Sequence, residues 1–122
     1  MPPLTDLPDS LLAPSKGNLP PLFRYGYPVD RKILGQLATV KRKGGEFVEG
    51  MRTIRELVDW DELNLVGVLN EGFYAIIEFR NSYDTVTPVP SDVTERVREL
   101  LGEEGPPKWY LDGEKFRWTR LV

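Results

Sequence analysis

The 122-residue chain contains no cysteine and no histidine. Without cysteine there is no disulfide framework, no thiolate nucleophile and no zinc–sulfur site. Without histidine the commonest general base is missing, and with it the Ser–His and Cys–His nucleophile pairs. No glycine-rich run follows a strand and opens a helix at phosphate-binding spacing, so the familiar nucleotide loops are absent. No apolar run approaches the roughly 20 residues of a membrane-spanning helix. Prolines interrupt the first residues, and Asp6 and Asp9 stand where a secretory leader carries basic charge. The expected address is cytoplasmic, with the nucleus left open. A net charge of −3 is too small to mark a nucleic-acid footprint or an acidic tail. No cofactor is expected. Any enzyme built on this chain has carboxylates, lysines, tyrosines or a hard metal to work with, and the expectation is a non-enzymatic protein.

What the chain does have is a long β-hairpin pattern at Asn64 to Arg80. Two runs rich in β-branched and aromatic residues flank Asn70-Glu71-Gly72, a loop whose glycine can take the positive φ of a turn with a bulge. The first arm, Leu65 to Leu69, is apolar on both faces, as in a strand covered on two sides. The second arm alternates. Phe73, Ala75, Ile77 and Phe79 fall on one face, and Tyr74, Ile76, Glu78 and Arg80 on the other.

Seven of the eleven prolines lie in residues 1–28, which argues against helix and central strand there. The same stretch is rich in leucine and tyrosine, too apolar for a solvated linker. Residues 1–27 are therefore read as an extended arm docked on a single domain formed by residues 28–122. Leu19-Pro20-Pro21-Leu22 also resembles a short polyproline ligand of WW-type modules.

Pro28 is placed as the first residue of a helix whose apolar stripe is Val29, Ile33, Leu37 and Val40. Lys41-Arg42-Lys43 and Gly44-Gly45 would end it, although Thr39 to Glu49 also fits a hairpin. A second short helix begins near Met51, and Asp59 with Glu62 has capping-box spacing for one more turn. Asp92 with Glu95 repeats that spacing ahead of the stripe Val93, Val97, Leu100 and Leu101, closed by Gly102. The end of the chain reads as a hairpin turning at Asp112-Gly113 and pairing Trp109 with Phe116. The sum is an α+β domain, an antiparallel sheet of about four strands with about three helices on one face.

Three sets of residues could carry function. The favoured one is a protein-interaction surface (inhibitor-, immunity- or adaptor-like, or a face for self-association). It joins the arm to an outer sheet face bearing Tyr74, Ile76, Arg80 and Tyr110, the aromatic and arginine chemistry of binding hot spots. The second is a single-stranded nucleic-acid surface of Lys108, Tyr110, Lys115 and Arg117, with charges tracking phosphate and a ring stacking on bases. Against it, residues 28–63 balance seven basic groups with seven acidic ones. The third starts from Asp61, which precedes the long hairpin, and Glu78-Phe79-Arg80, which ends its second arm. That order resembles the PD-(D/E)xK nuclease core, in which the carboxylates hold a divalent metal and the lysine assists the attacking water. The resemblance would make Asp61 and Glu78 metal ligands. Arg80 stands where that pattern has lysine, and a guanidinium does not deprotonate to act as a base.

Overall fold

The computed structural model describes residues 3–12, 14, 16–29, 31–37, 45–69, 73–84 and 88–120, without the side chains of residues 31, 35, 46, 47, 73 and 74. Six strands and three α-helices are found among them: β1 (Asn18–Leu19), β2 (Phe23–Pro28), α1 (Arg31–Leu37), α2 (Glu46–Val58), β3 (Asn64–Leu69), β4 (Phe73–Asn81), α3 (Ser91–Leu101), β5 (Lys108–Asp112) and β6 (Thr119–Arg120). The fold is α+β. A short 3-10 turn, Asp9–Leu11, precedes them.

The long hairpin is the centre of the sheet. β3 and β4 pair antiparallel from Asn64 opposite Glu78 to Leu69 opposite Phe73. The connecting residues 70–72 lie outside the described ones, and so does the turn expected there. β2 adds to the other edge of β4, and β5 pairs with both β2 and β3. The sheet therefore closes into a four-stranded barrel, β2-β4-β3-β5. Closure gives the sheet an inside, which alternation along a single strand does not foretell. Positions with even numbers, among them Ile76, Val68 and Tyr110, face inward and are buried together with Val66 packed beside them. Odd positions such as Tyr27 and Ile77 face outward, toward the helices.

That outward face carries the larger core. Leu34 of α1, Met51, Ile54 and Val58 of α2, and Val93 and Val97 of α3 pack on Tyr27, Ile77 and Phe79. The spacing of the α2 residues is a single helical stripe. α1 and α2 approach closely at Gly50, where a Cβ would lie 2.5 Å from the Leu34 carbonyl oxygen.

Several expectations need correcting. Residues 23–27, assigned to the arm, form with Pro28 a barrel strand bonded on both edges, which tolerates Pro28 at its last position, where a missing N–H costs least. Pro28 thus ends a strand instead of opening a helix, and α1 starts at Arg31. Residues 38–44 lie outside the described ones, but Glu46 to Glu49 are helical, not a hairpin arm. Asp59 caps no further helix: it takes the left-handed conformation (φ 55°) that terminates α2. α3 starts after Pro90 with no side-chain cap, so the Asp92–Glu95 box does not form; Glu95 turns to Arg98 instead. Its end at left-handed Gly102 is as expected.

The terminal hairpin also fails to form. Trp109 pairs with Tyr25 of β2, and β6 pairs with β1, not β5. Asp112 is the reason the chain leaves the sheet there. Its Oδ2 accepts the backbone N–H groups of Glu114 (3.0 Å) and Lys115 (2.7 Å), turning the chain away from β5. The edge of β5 beyond β3 is occupied by Leu4, which exchanges two backbone hydrogen bonds with Trp109 at 2.9 and 2.8 Å.

Candidate binding cleft

The alternation of β4 breaks at one residue, and that break builds the site. Pairing with β2 shifts between Tyr25 and Gly26, so that Arg80 lies opposite Tyr25 while Glu78 lies opposite Gly26, with Phe79 extra between them. A bulge of this kind re-aims the residues after it. Glu78 stays inside the barrel and Arg80 emerges on the Tyr25 side. The two residues expected to share a face are separated by the sheet.

Inside the barrel, Arg24 of β2 bridges two carboxylates. Its Nη1 donates to Glu78 Oε2 and its Nε to Asp112 Oδ1, each at 2.6 Å. The three side chains are 21%, 6% and 7% exposed, in that order. Burial by itself would raise the Asp112 carboxyl, but the Lys115 N–H, the Arg24 guanidinium and the Glu114 N–H together hold it below the ordinary aspartate value. Burial likewise opposes the charge on Arg24, and its hydrogen bonds to Glu78 and Asp112 outweigh that, leaving it raised. The network ties β2 to β4 and β5. It is a structural clasp in which one guanidinium serves two carboxylates.

Outside the barrel lies a cleft of about 660 Å³. Its floor is Tyr25 and Tyr27 of β2 with Arg80 of β4, and one wall is the Ser91, Thr94, Glu95 and Arg98 face of α3. Those four recur at helical spacing, opposite the core-facing Val93 and Val97. Gly105-Pro106-Pro107, which lead into β5, form the other wall beneath Val89. The Tyr27 hydroxyl donates to the Gly105 carbonyl at 2.7 Å, fixing that wall to the floor. Burial raises the phenols of Tyr25 and Tyr27 above the usual tyrosine value.

Two guanidinium groups line this cleft, and they differ. Arg98 is neutralised: its Nε donates to Glu95 Oε1 at 3.0 Å, Nη2 reaches the same oxygen, and Nη1 donates to the Glu103 carbonyl at 3.1 Å. The hydrogen bond to Arg98 in turn holds the Glu95 carboxyl low, which makes it a weak base. Arg80 instead sits against aromatic rings. Its guanidinium carbon is 5.6 Å from the Tyr25 centroid and 5.3 Å from that of Trp109, and those rings are 4.8 Å apart. No carboxylate of the described residues lies within ion-pairing distance of Arg80, and its Nε is buried without a hydrogen-bond partner.

The residues singled out from sequence fall in different places. Of the expected interaction surface, Ile76 (0% exposed) and Tyr110 (5%) are inside the barrel, and the Tyr74 side chain lies outside the described ones. Arg80 reaches the cleft, and Tyr110, though buried, borders a smaller pocket beside Lys108. Of the basic set, Lys108, Lys115 and Arg117 are exposed, while Tyr110, expected beside them as the stacking ring, is buried. Arg117 lies over Phe116, 5.1 Å from its centroid. Asp61 occupies an exposed turn, while Glu78 is clasped by Arg24. Among the described residues no group of three metal-ligating side chains comes together. Sequence reasoning missed Tyr25 and Tyr27, although Tyr25-Gly26-Tyr27 carries the period-two pattern of a strand with one close approach. Comparison with known family models, curated proteins and solved structures yields no match to this chain.

Proposed function

We propose that the protein is a non-enzymatic binding module that captures a segment of another protein in the cleft between β2, β4 and α3. One observation carries the reading: Arg80 lies against two aromatic rings, with no carboxylate of the described residues within ion-pairing distance, in the floor of a cleft of ligand-binding size. Pre-oriented aromatic and arginine side chains are the usual anchors of protein interfaces. The cleft's carboxylate is held low and its tyrosines high, which suits recognition better than proton transfer.

The test is a native pull-down with the full chain, repeated after nuclease treatment and with Thr94→Trp. Thr94 lies on the cleft face of α3, so a large ring there fills the cleft without entering the core. A stoichiometric protein partner that survives nuclease and is lost with Thr94→Trp is the expected result. Added salt should weaken the complex only slightly. Loss of every bound macromolecule on nuclease treatment, with a steep salt dependence, would transfer the function to Lys108, Lys115 and Arg117. Self-association abolished by Thr94→Trp would make the partner a second copy.

A further inference from the structure

Resting on that reading, we infer that the captured segment presents a single carboxylate to Arg80, next to an apolar group that lies on Tyr25 and the Pro106-Pro107 wall. The argument is one of charge and shape. Of the described charged groups lining the cleft, Glu95 is bound to Arg98, and Arg80 has no carboxylate of the described residues within ion-pairing distance. One fixed, planar cation matches one planar monoanion, and a carboxylate can take two parallel N–H bonds from it. A phosphate dianion would bring a second charge, and the described lining residues hold no further cation to meet it. The Glu95 carboxylate on the wall repels any anion, and a dianion about twice as strongly as a monoanion. Beside Arg80 the lining offers the Tyr25 and Tyr27 rings, Pro106, Pro107 and Val89 for an apolar group, with the Ser91 and Thr94 hydroxyls on the α3 wall opposite.

Two sources supply this chemistry, an aspartate or glutamate side chain and a chain terminus. Both can be probed on the intact ¹⁵N-labelled protein by following the Arg80 Nε–Hε resonance. The probes are 3-phenylpropionate, phenyl phosphate and 3-phenylpropan-1-ol at equal ionic strength, then two apolar tripeptides, one amidated with a central glutamate and one with a free C-terminal carboxylate. Saturable shifts with 3-phenylpropionate are expected, weakened roughly tenfold or more in Arg80→Lys, because the fork is lost while the charge remains. Thr94→Trp should abolish them. The tighter of the two peptides names the source. Equal or tighter binding of phenyl phosphate or the alcohol would overturn the inference, and so would silence toward every carboxylate. If Thr94→Trp loses a protein partner while all carboxylates are silent, the binding module stands and the carboxylate falls. If carboxylates bind and the pull-down ignores Thr94→Trp, the cleft takes an acid but the protein-partner reading falls.

Discussion

Gly26 shows how much one missing side chain permits. A Cβ there would lie 1.9 Å from the Ile77 carbonyl oxygen, well inside van der Waals contact and against backbone that cannot rotate away. Gly26→Ala should therefore cost about 2 kcal/mol or more in urea unfolding, through forced separation of β2 from β4. Gly105 is the contrasting case: its φ is +86° but the space around it is open, so Gly105→Ala should cost only about 1–2 kcal/mol of backbone strain. Ile77, fully buried beneath the helices, should lose roughly 2–5 kcal/mol on truncation to alanine. The two arginines of the sheet should separate cleanly. Arg24→Met leaves Glu78 and Asp112 buried without their cation, a loss of roughly 3–5 kcal/mol. Arg80→Met removes an unpaired buried donor along with its ring contacts, and should change stability by less than about 1 kcal/mol. Chemical denaturation of the two variants side by side checks this; a large loss for Arg80→Met would make Arg80 a structural residue.

At the scale of elements, the bulge in β4 matters more than any helix. It lets one strand serve two compartments, with Glu78 in the barrel clasp and Arg80 in the cleft. The N-terminal segment acts through its backbone as well as its apolar side chains. Leu4 satisfies the Trp109 N–H and C=O where β5 has outrun β3, and Trp109 in turn supports the Arg80 guanidinium. Deleting residues 1–12 should therefore lower the melting temperature and loosen the cleft floor, read as faster amide exchange at Trp109 and Tyr25. Unchanged melting and exchange would mean that the bridge contributes nothing. α2 ends on an aspartate in the left-handed region, where glycine is favoured. Asp59→Gly is expected to stabilise the protein by up to about 1 kcal/mol, measurable as a shift of the urea midpoint.

For the whole molecule, burial of titrating groups inside the barrel and on its outer face makes stability depend on pH at both ends. Asp112 titrates lower folded than unfolded, so its contribution is fully present above the unfolded carboxyl value, about 3.9, and is lost as pH falls through the folded one. The phenols of Tyr25 and Tyr27 are raised by burial, so theirs is present below about pH 10 and fades as pH rises beyond it. Melting temperature against pH should be a plateau with an acid limb and an alkaline limb. Asp112→Asn should flatten the acid limb, while Tyr25→Phe should flatten part of the alkaline one.

Much of this was legible in the order of residues. Alternation along Phe73 to Ile77, the branched run of β3, the Val93–Val97 stripe and Gly102 each depend on neighbours a few positions away, where period and propensity act directly. Composition was equally direct: without cysteine and histidine, whole classes of chemistry were gone before any fold was known. What local pattern does not encode is which strand lies beside which. Proline content hid β2, because its pairing with β4 and β5 is set by partners 48 to 88 positions away in the chain, among them Ile77 and Trp109. Alternation showed that β4 has two faces, but only closure of the sheet decided that the face of Ile76 and Glu78 is an interior. Only the register shift against β2 decided that Arg80 leaves it. The cleft exists because of those two long-range events, each a property of strands brought together and not of any one of them.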